Sequence, residues 1–374
     1  MRRAAAAGLA LAALAAALLL PARPMHRTPL WPGARYSRED RDRAVQRGLA
    51  FIYNSIARNP ANFADWGHDL LSAFYNIAET SADPELRRMA YVMGHERALE
   101  WKRLHPAVPA DSDALAVSDL VYGLDAAERL GVPQPRLRAQ LRLAAARFSA
   151  VDYYHFDPAL GPPPADIPEA CSVCGTQNPR GASVCRRCGA RLKMRDPYDL
   201  LQDALIGTYT GGHAGIQLGA PYTDVLRWLP AMRPFPPKSA GWHTYYAGVY
   251  AATHIVYTYN DYSQYRVSPD CFPQEFAHLR NNLEEAVAED DPETMGEYLD
   301  TLRAFGLGFE NRLIRAGFDF VLGAQNPDGS WGDIKDTDVY GRYHPTWTAI
   351  DGIRDYRWGA VLPCPEVRLR AQAR

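Results

Sequence analysis

The chain has 374 residues, enough for one large core or two smaller domains. Hydrophobic residues make up 47% and charged residues 22%, a globular balance that excludes a disordered or fibrous chain. The formal net charge of -2 excludes a global electrostatic grip on nucleic acid, and no nucleic-acid partner is expected.

The first element is a leader. Arg2 and Arg3 precede an uncharged run from Ala4 to Leu20, 17 residues of mostly Ala and Leu. That is short for a membrane span and suits the core of a signal peptide. Leu20, Pro21 and Ala22 give no small-x-small cleavage site, so an uncleaved anchor stays open. Arginines 23, 27, 35, 38, 41 and 43 follow the run. If the segment stays in the membrane, they favour a body on the cytoplasmic side. The expected location is therefore membrane-associated through the N-terminus, or exported. Residues 1–30 are set apart from the fold.

Residues 31–156 read as the first part of a helical body. A helix opens at Ser37 as cap, a second covers 67–81, and a third begins with Asp83 as cap and Pro84 in its first turn. Two more follow at 111–131 and 134–151. The aromatic content is high, with 21 Tyr and 8 Trp. Such residues pack a large helical core or line a pocket.

Residues 157–195 form an insertion. "DPALGPPPADIPEA" is a Pro-rich lead-in that cannot be helical. After it, Cys171, Cys174, Cys185 and Cys188 make two C-x2-C pairs, with Gly175 and Gly189 placed to close a turn after each. Four thiolates form a closed tetrahedral site with no open position, so the expected cofactor is a structural zinc. The window resembles short zinc ribbons of the pattern C-x2-C-G-x-x-N-P-x-G, and the match includes Asn178, Pro179 and Gly181. Arg180, Arg186, Arg187, Arg191 and Lys193 make it basic. It is either a metal-stapled insertion too small for its own core or a docking module for an acidic partner, nucleic acid or membrane headgroups. Cys271 and Cys364 lie far from it, and the cysteines are not spread as in a small disulfide scaffold.

Residues 196–374 read as the second part of the helical body. Helices are expected at 196–210, 222–232, 241–261, 272–289, 291–306, 309–325 and 344–358, with a Gly-rich break at 211–221. No alternating strand run stands outside the ribbon. The expected fold class is all-α, a toroid-like array of helix pairs with a small zinc-ribbon insertion.

"QNPDGSWGD", Gln325 to Asp333, follows one of these helices. It resembles the Gln–Trp repeat of squalene–hopene and other terpenoid cyclases. The stretch after it, through Tyr343 and His344, is similar to the end of protein prenyltransferase β-subunits. The resemblance covers about 50 residues. It implies an (α/α) toroid with inner helices around a central cavity, and it maps a family zinc ligand onto His344. That leaves room for a second metal of unspecified identity. The Asp-x-Cys ligands and the cyclase motif Asp-x-Asp-Asp have no match here.

Polar stripes mark the candidate cavity. His243, Tyr246, Tyr250, His254, Tyr257 and Asp261 are spaced 3, 4, 4, 3 and 4, which puts them on one helix face. His68, Ser72, Tyr75 and Glu79 make a second stripe, and His344, Thr348 and Asp351 a third. If inner helices converge, His68, His243, His344, Asp351 and Glu79 meet near one mouth as a general acid/base pair or a mononuclear metal site, with Tyr246 of the first stripe as a further catalytic candidate. Three functions are compatible with these residues. One is a membrane-associated enzyme acting on an apolar or polyprenyl-like small molecule. Another is an exported glycan-processing toroid, with Asp336, Asp338 and Asp351 as nearest carboxylates. The last is a non-catalytic module that docks a protein partner.

Overall fold

The computed structural model of the chain describes residues 28–165, 169–171, 173–174, 176–179, 182–192 and 195–365. Residues 1–27 of the expected leader lie outside them. Leu30 is buried in the core, so the body begins before residue 31.

The chain is mostly helical, with thirteen α-helices among the described residues. They are α1 Arg38–Phe51, α2 Pro60–Thr80, α3 Pro84–Leu104, α4 Ala114–Arg129, α5 Pro135–Ala145, α6 Ala150–Tyr154, α7 Pro197–Ala214, α8 Tyr222–Leu226, α9 Trp242–Tyr259, α10 Pro273–Ala288, α11 Pro292–Ala304, α12 Arg312–Gly323 and α13 Val339–Ile353. Local chemistry sets most starts. Ser37, Asn59, Asp83, Asp113, Asp196, Asp291, Asn311 and Asp338 each accept a backbone N–H of the helix they open. Each such cap contributes about 1 kcal/mol. Proline opens α2, α3, α5, α7, α10 and α11, where its missing N–H has no intrahelical partner to lose.

The expected Gly-rich break after α7 falls later than the composition suggested. Gly211 and Gly212 stay helical, and Gly215 ends the helix in a left-handed conformation at φ 64°. The last helix starts at Val339 rather than His344. Asp338 caps it, and Pro345 lies inside it.

Six helices touch in a cyclic order. α2 packs on α4, α4 on α7, α7 on α9, α9 on α11, α11 on α13, and α13 on α2. The remaining long helices lie against these: α3 on α2 and α4, α5 on α4, α10 on α9 and α11, α12 on α11 and α13, and α1 on α13. The Gln–Trp turn knits α1, α12 and α13. Gln325 Nε2 donates to Ala44 O at 2.8 Å and Gly329 O at 3.0 Å. Trp331, fully buried, donates from Nε1 to Val321 O at 2.6 Å and from its backbone to Thr346 Oγ1 at 3.0 Å.

Strands are few. β1 Glu169–Ala170 pairs antiparallel with β2 Gln177–Asn178 in the cysteine-rich segment. Outside it, β3 Arg266–Val267 pairs parallel with β4 Val361–Leu362. Beside that pair, Cys271 and Cys364 form a disulfide across 93 residues. No helix among the described residues is long and apolar enough to cross a membrane.

Candidate functional site

The tightest helix contact builds the site. A Cβ on Gly296 of α11 would lie 2.3 Å from Thr348 O of α13, and one on Gly352 would lie 2.8 Å from Gly296 Cα. Two side chains reduced to hydrogen therefore let the backbones touch. Glu293 and Glu297 flank Gly296 on α11, four residues apart and so on one face. The contact brings them to His344 of α13.

His344 Nδ1 lies 3.1 Å from Glu293 Oε1, an ion-pair contact without the alignment of a hydrogen bond. Burial disfavours the charged imidazole. Glu293, then Glu297 and Asp69, outweigh it and push His344 up to about 9. Burial alone would raise Glu293, but the charge of His344 and the Tyr250 hydroxyl hold its carboxyl below the ordinary value. Glu297 goes the other way. Burial pushes it up to about 8, against the pull of His344 and of the Thr253 hydroxyl, which donates to Glu297 Oε2 at 2.5 Å. Two carboxyls one turn apart thus hold different protonation states at neutral pH.

Aromatic side chains surround the pair. Tyr340 stacks on His344 with ring centroids 4.5 Å apart, and Trp66 of α2 packs on Tyr340 at 5.3 Å. Tyr343 donates to Asp69 Oδ2 at 2.5 Å. Asp261, Tyr262 and Ser263, directly after α9, all have positive φ, at 57°, 48° and 66°. Such backbone is costly outside glycine and is found where a site demands it. It leaves Tyr262 within the fields of Asp69 and Glu297, and burial raises its hydroxyl well above the usual range.

Histidines pair with carboxylates across neighbouring helices. His68 of α2 lies 3.7 Å from Asp119 of α4, His243 of α9 lies 3.5 Å from Asp199 of α7, and His254 of α9 lies 3.9 Å from Glu297 of α11. His254 is neutral, since burial lowers it to about 4. Its Nδ1 donates to Tyr250 O at 2.8 Å, which leaves Nε2 to accept from Gln202 at 3.4 Å.

The four cysteines form a separate centre. Their ligand atoms all lie within 4.8 Å of one another. The Cys171–Cys188 and Cys174–Cys185 sulfurs are each 3.6 Å apart. Zinc–sulfur bonds of about 2.3 Å need a tetrahedral edge of about 3.8 Å, so the cluster fits such a metal. The Arg187 amide donates to Cys185 Sγ at 3.4 Å, and Asn178 Oδ1 accepts from the Arg186 amide at 2.9 Å, bracing the second knuckle. Among the described residues this is the one group of three or more His, Cys, Asp or Glu placed to hold a metal. Arg186, Arg187 and Arg191 are exposed, while Arg180 and Lys193 lie outside the described residues.

The chain matches no protein-family model, and no curated protein is similar to it.

The sequence-predicted residues divide. His344 stands at the centre. Tyr246 is buried on the α9 face that leads to it, between Trp242 and Tyr250. His68 and His243 carry their own acidic partners on neighbouring helices. His68 and His344 sit inside their helices rather than at helix starts, because Asn59 and Asp338 cap earlier than the expected starts at 67 and 344. Glu79 does not join this set. It lies about 16 Å along α2 from His68 and binds Arg129 at 2.9 Å. Asp351 is held by Arg354 at 2.7 Å, two turns beyond His344. Asp338 caps α13, and Asp336 accepts the Asp338 amide at 2.8 Å, so these two serve the backbone. Glu293, Glu297 and Asp69 are the residues the sequence reasoning missed. Asp291-Pro292-Glu293 reads correctly as a helix start, which hid the second role of its glutamate. A polar i, i+4 pair inside a buried helix was the available signal.

Proposed function

We propose that the helical body is an (α/α) toroid enzyme that carries out general acid–base hydrolysis on a neutral, hydroxyl-rich substrate, a glycan. Support for the toroid is the closed order of helix contacts, with α2, α4, α7, α9, α11 and α13 inside. The observation that carries the activity is the split pair. Glu297 keeps its proton near neutral pH while Glu293 is ionised, and environments that separate two carboxyls this way assign acid and base. Glu297 would protonate the leaving oxygen and Glu293 would act as base or nucleophile. His344 is a positioning residue that keeps Glu293 charged.

Substrate class follows from charge. Carboxylates dominate the centre, and His344 is already paired, so a phosphate-bearing substrate finds no free cation there. Tyr and Trp rings with carboxylates suit sugar faces and hydroxyls. The Cys271–Cys364 disulfide supports an exported body, since such bonds persist in oxidising compartments. In that setting the ribbon serves as a zinc-stapled insertion, its thiolates protected by the metal.

The apolar, polyprenyl-like substrate remains the second reading. The Gln325–Trp331 turn favours it, and the same protonated Glu297 would start such chemistry. The test is hydrolysis of a neutral glycan panel by wild type, Glu293→Gln and Glu297→Gln. Each variant is expected to lose at least about 100-fold in kcat/KM with its fold intact. Turnover of isoprenoid alcohols instead of glycans would move the assignment to the second reading. Unchanged turnover in both variants would overturn the site.

A further inference from the structure

Trp242 is 73% exposed, at the first residue of α9. A bare indole on a helix start is unusual, because Trp is normally buried by its own large apolar area. It is also the outer end of a series. Tyr246 lies one turn below it with ring centroids 4.9 Å apart, and Tyr250 one turn further at 6.4 Å. Exposure falls steeply along the series, since Tyr246 is 7% exposed. The Tyr250 hydroxyl lies 3.2 Å from Thr294 Oγ1, next to Glu293, whose carboxyl it helps to keep ionised. Three rings on one helix face thus run from solvent to the carboxylate pair, over about 12 Å of helix rise.

The flanks are consistent with an uncharged occupant. Lys238, four residues before Trp242, lies over Tyr245 and is bound by Glu285 and Glu289. His243, beside Trp242, faces Asp199 at 3.5 Å. The indole of Trp242 itself is left exposed to solvent.

We propose that Trp242 is an outer subsite for a polymeric neutral glycan, stacking a sugar ring upstream of the unit that reaches Glu293 and Glu297. This rests on the acid–base reading for the direction of the chain, and it adds that the substrate is a polymer rather than a single sugar. A ring stacked on an exposed indole gains area and C–H contact without needing a charge. The gain is available only to a chain long enough to span from the mouth to the carboxylates.

Native gels cast with glycol chitin, mixed-linkage β-glucan or pullulan test this with the full chain. Wild type is expected to be retarded in at least one gel. Trp242→Ala is expected to run there as in a blank gel, an affinity loss of about tenfold or more, and Trp242→Phe to recover part of the retardation. The exposed position makes the alanine variant safe for folding, and an unchanged melting temperature checks that. Equal retardation of wild type and Trp242→Ala, or no retardation of wild type in any of the three, overturns the proposal. Hydrolysis of the same polymers is read separately. Retardation that depends on Trp242 without any hydrolysis leaves the subsite standing and removes the acid–base function.

Discussion

Gly296 and Gly352 put the backbones of α11 and α13 in direct contact, and that contact sets the distance between Glu293 and His344. A methyl at Gly296 would meet Thr348 O at 2.3 Å, a backbone atom that cannot swing away. Gly296→Ala is therefore expected to destabilise the fold by about 2 kcal/mol or more. Separation of the helices weakens the ion pair, so the His344 imidazole should titrate below its value of about 9. Denaturant unfolding and NMR of the imidazole check the two parts. Wild-type stability in this variant would mean that the contact is not tight.

The stability contributed by Glu297 and His344 should fall as pH rises from about 5 to 9. Unfolded, Glu297 releases its proton near its model value of 4.5 and His344 near 6.5; folded, they hold it to about 8 and about 9. Across that window the folded chain binds more protons, so their contribution is complete at the acid side and disappears as pH passes 8 to 9. Glu293 has the opposite sign, since its depressed carboxyl loses its contribution only as pH falls below 4.5. Glu297→Gln keeps a neutral group of the same shape. It should flatten the decline between pH 5 and 8, and melting temperatures across that range measure it.

Metal content should be one zinc per chain, held by the cysteine cluster. Cys171→Ser with Cys174→Ser is expected to abolish it, as read by elemental analysis. A second equivalent that survives this change and vanishes in His344→Ala would put a metal in the helical body and revive the prenyltransferase resemblance as chemistry.

Removing the Cys271–Cys364 bond should lower stability by up to about 4.6 kcal/mol, the chain-entropy figure for a loop of this length. Cys271→Ser with Cys364→Ser does this without disturbing the ribbon. Denaturant midpoints of the two proteins give the comparison, and an unchanged midpoint would mean that the bond does not form.

Much of the helical body was readable because its signals are local. Ser37 and Asp83 announce their helices, and the 3-and-4 spacing from His243 to Tyr257 marks one face of α9, down to the Tyr250 and His254 contacts with α11, whereas Asp261 lies beyond the end of the helix. The cysteine spacing likewise identified a metal-sized cluster. The Glu293–Glu297 pair was not readable. Glu293 and Glu297 matter only because two glycines 56 positions apart let α11 and α13 touch, and no spacing rule reports that. Asp336, Asp338 and Asp351 looked equally suitable as carboxylates, but a backbone amide, a helix cap and Arg354 occupy them. The Cys271–Cys364 pairing was hidden by its separation of 93 residues.

Six cysteines in one chain admit fifteen fully paired arrangements, and here one pair is oxidised while four thiols stay free. Sulfurs 3.6 Å apart in the ribbon are close enough to oxidise among themselves if nothing occupies the space between them. In an oxidising compartment, metal would have to reach Cys171, Cys174, Cys185 and Cys188 before the oxidant that joins Cys271 to Cys364. A cell short of zinc would accumulate scrambled chains rather than unmetallated ones, so metal supply would act as a checkpoint on the protein's maturation.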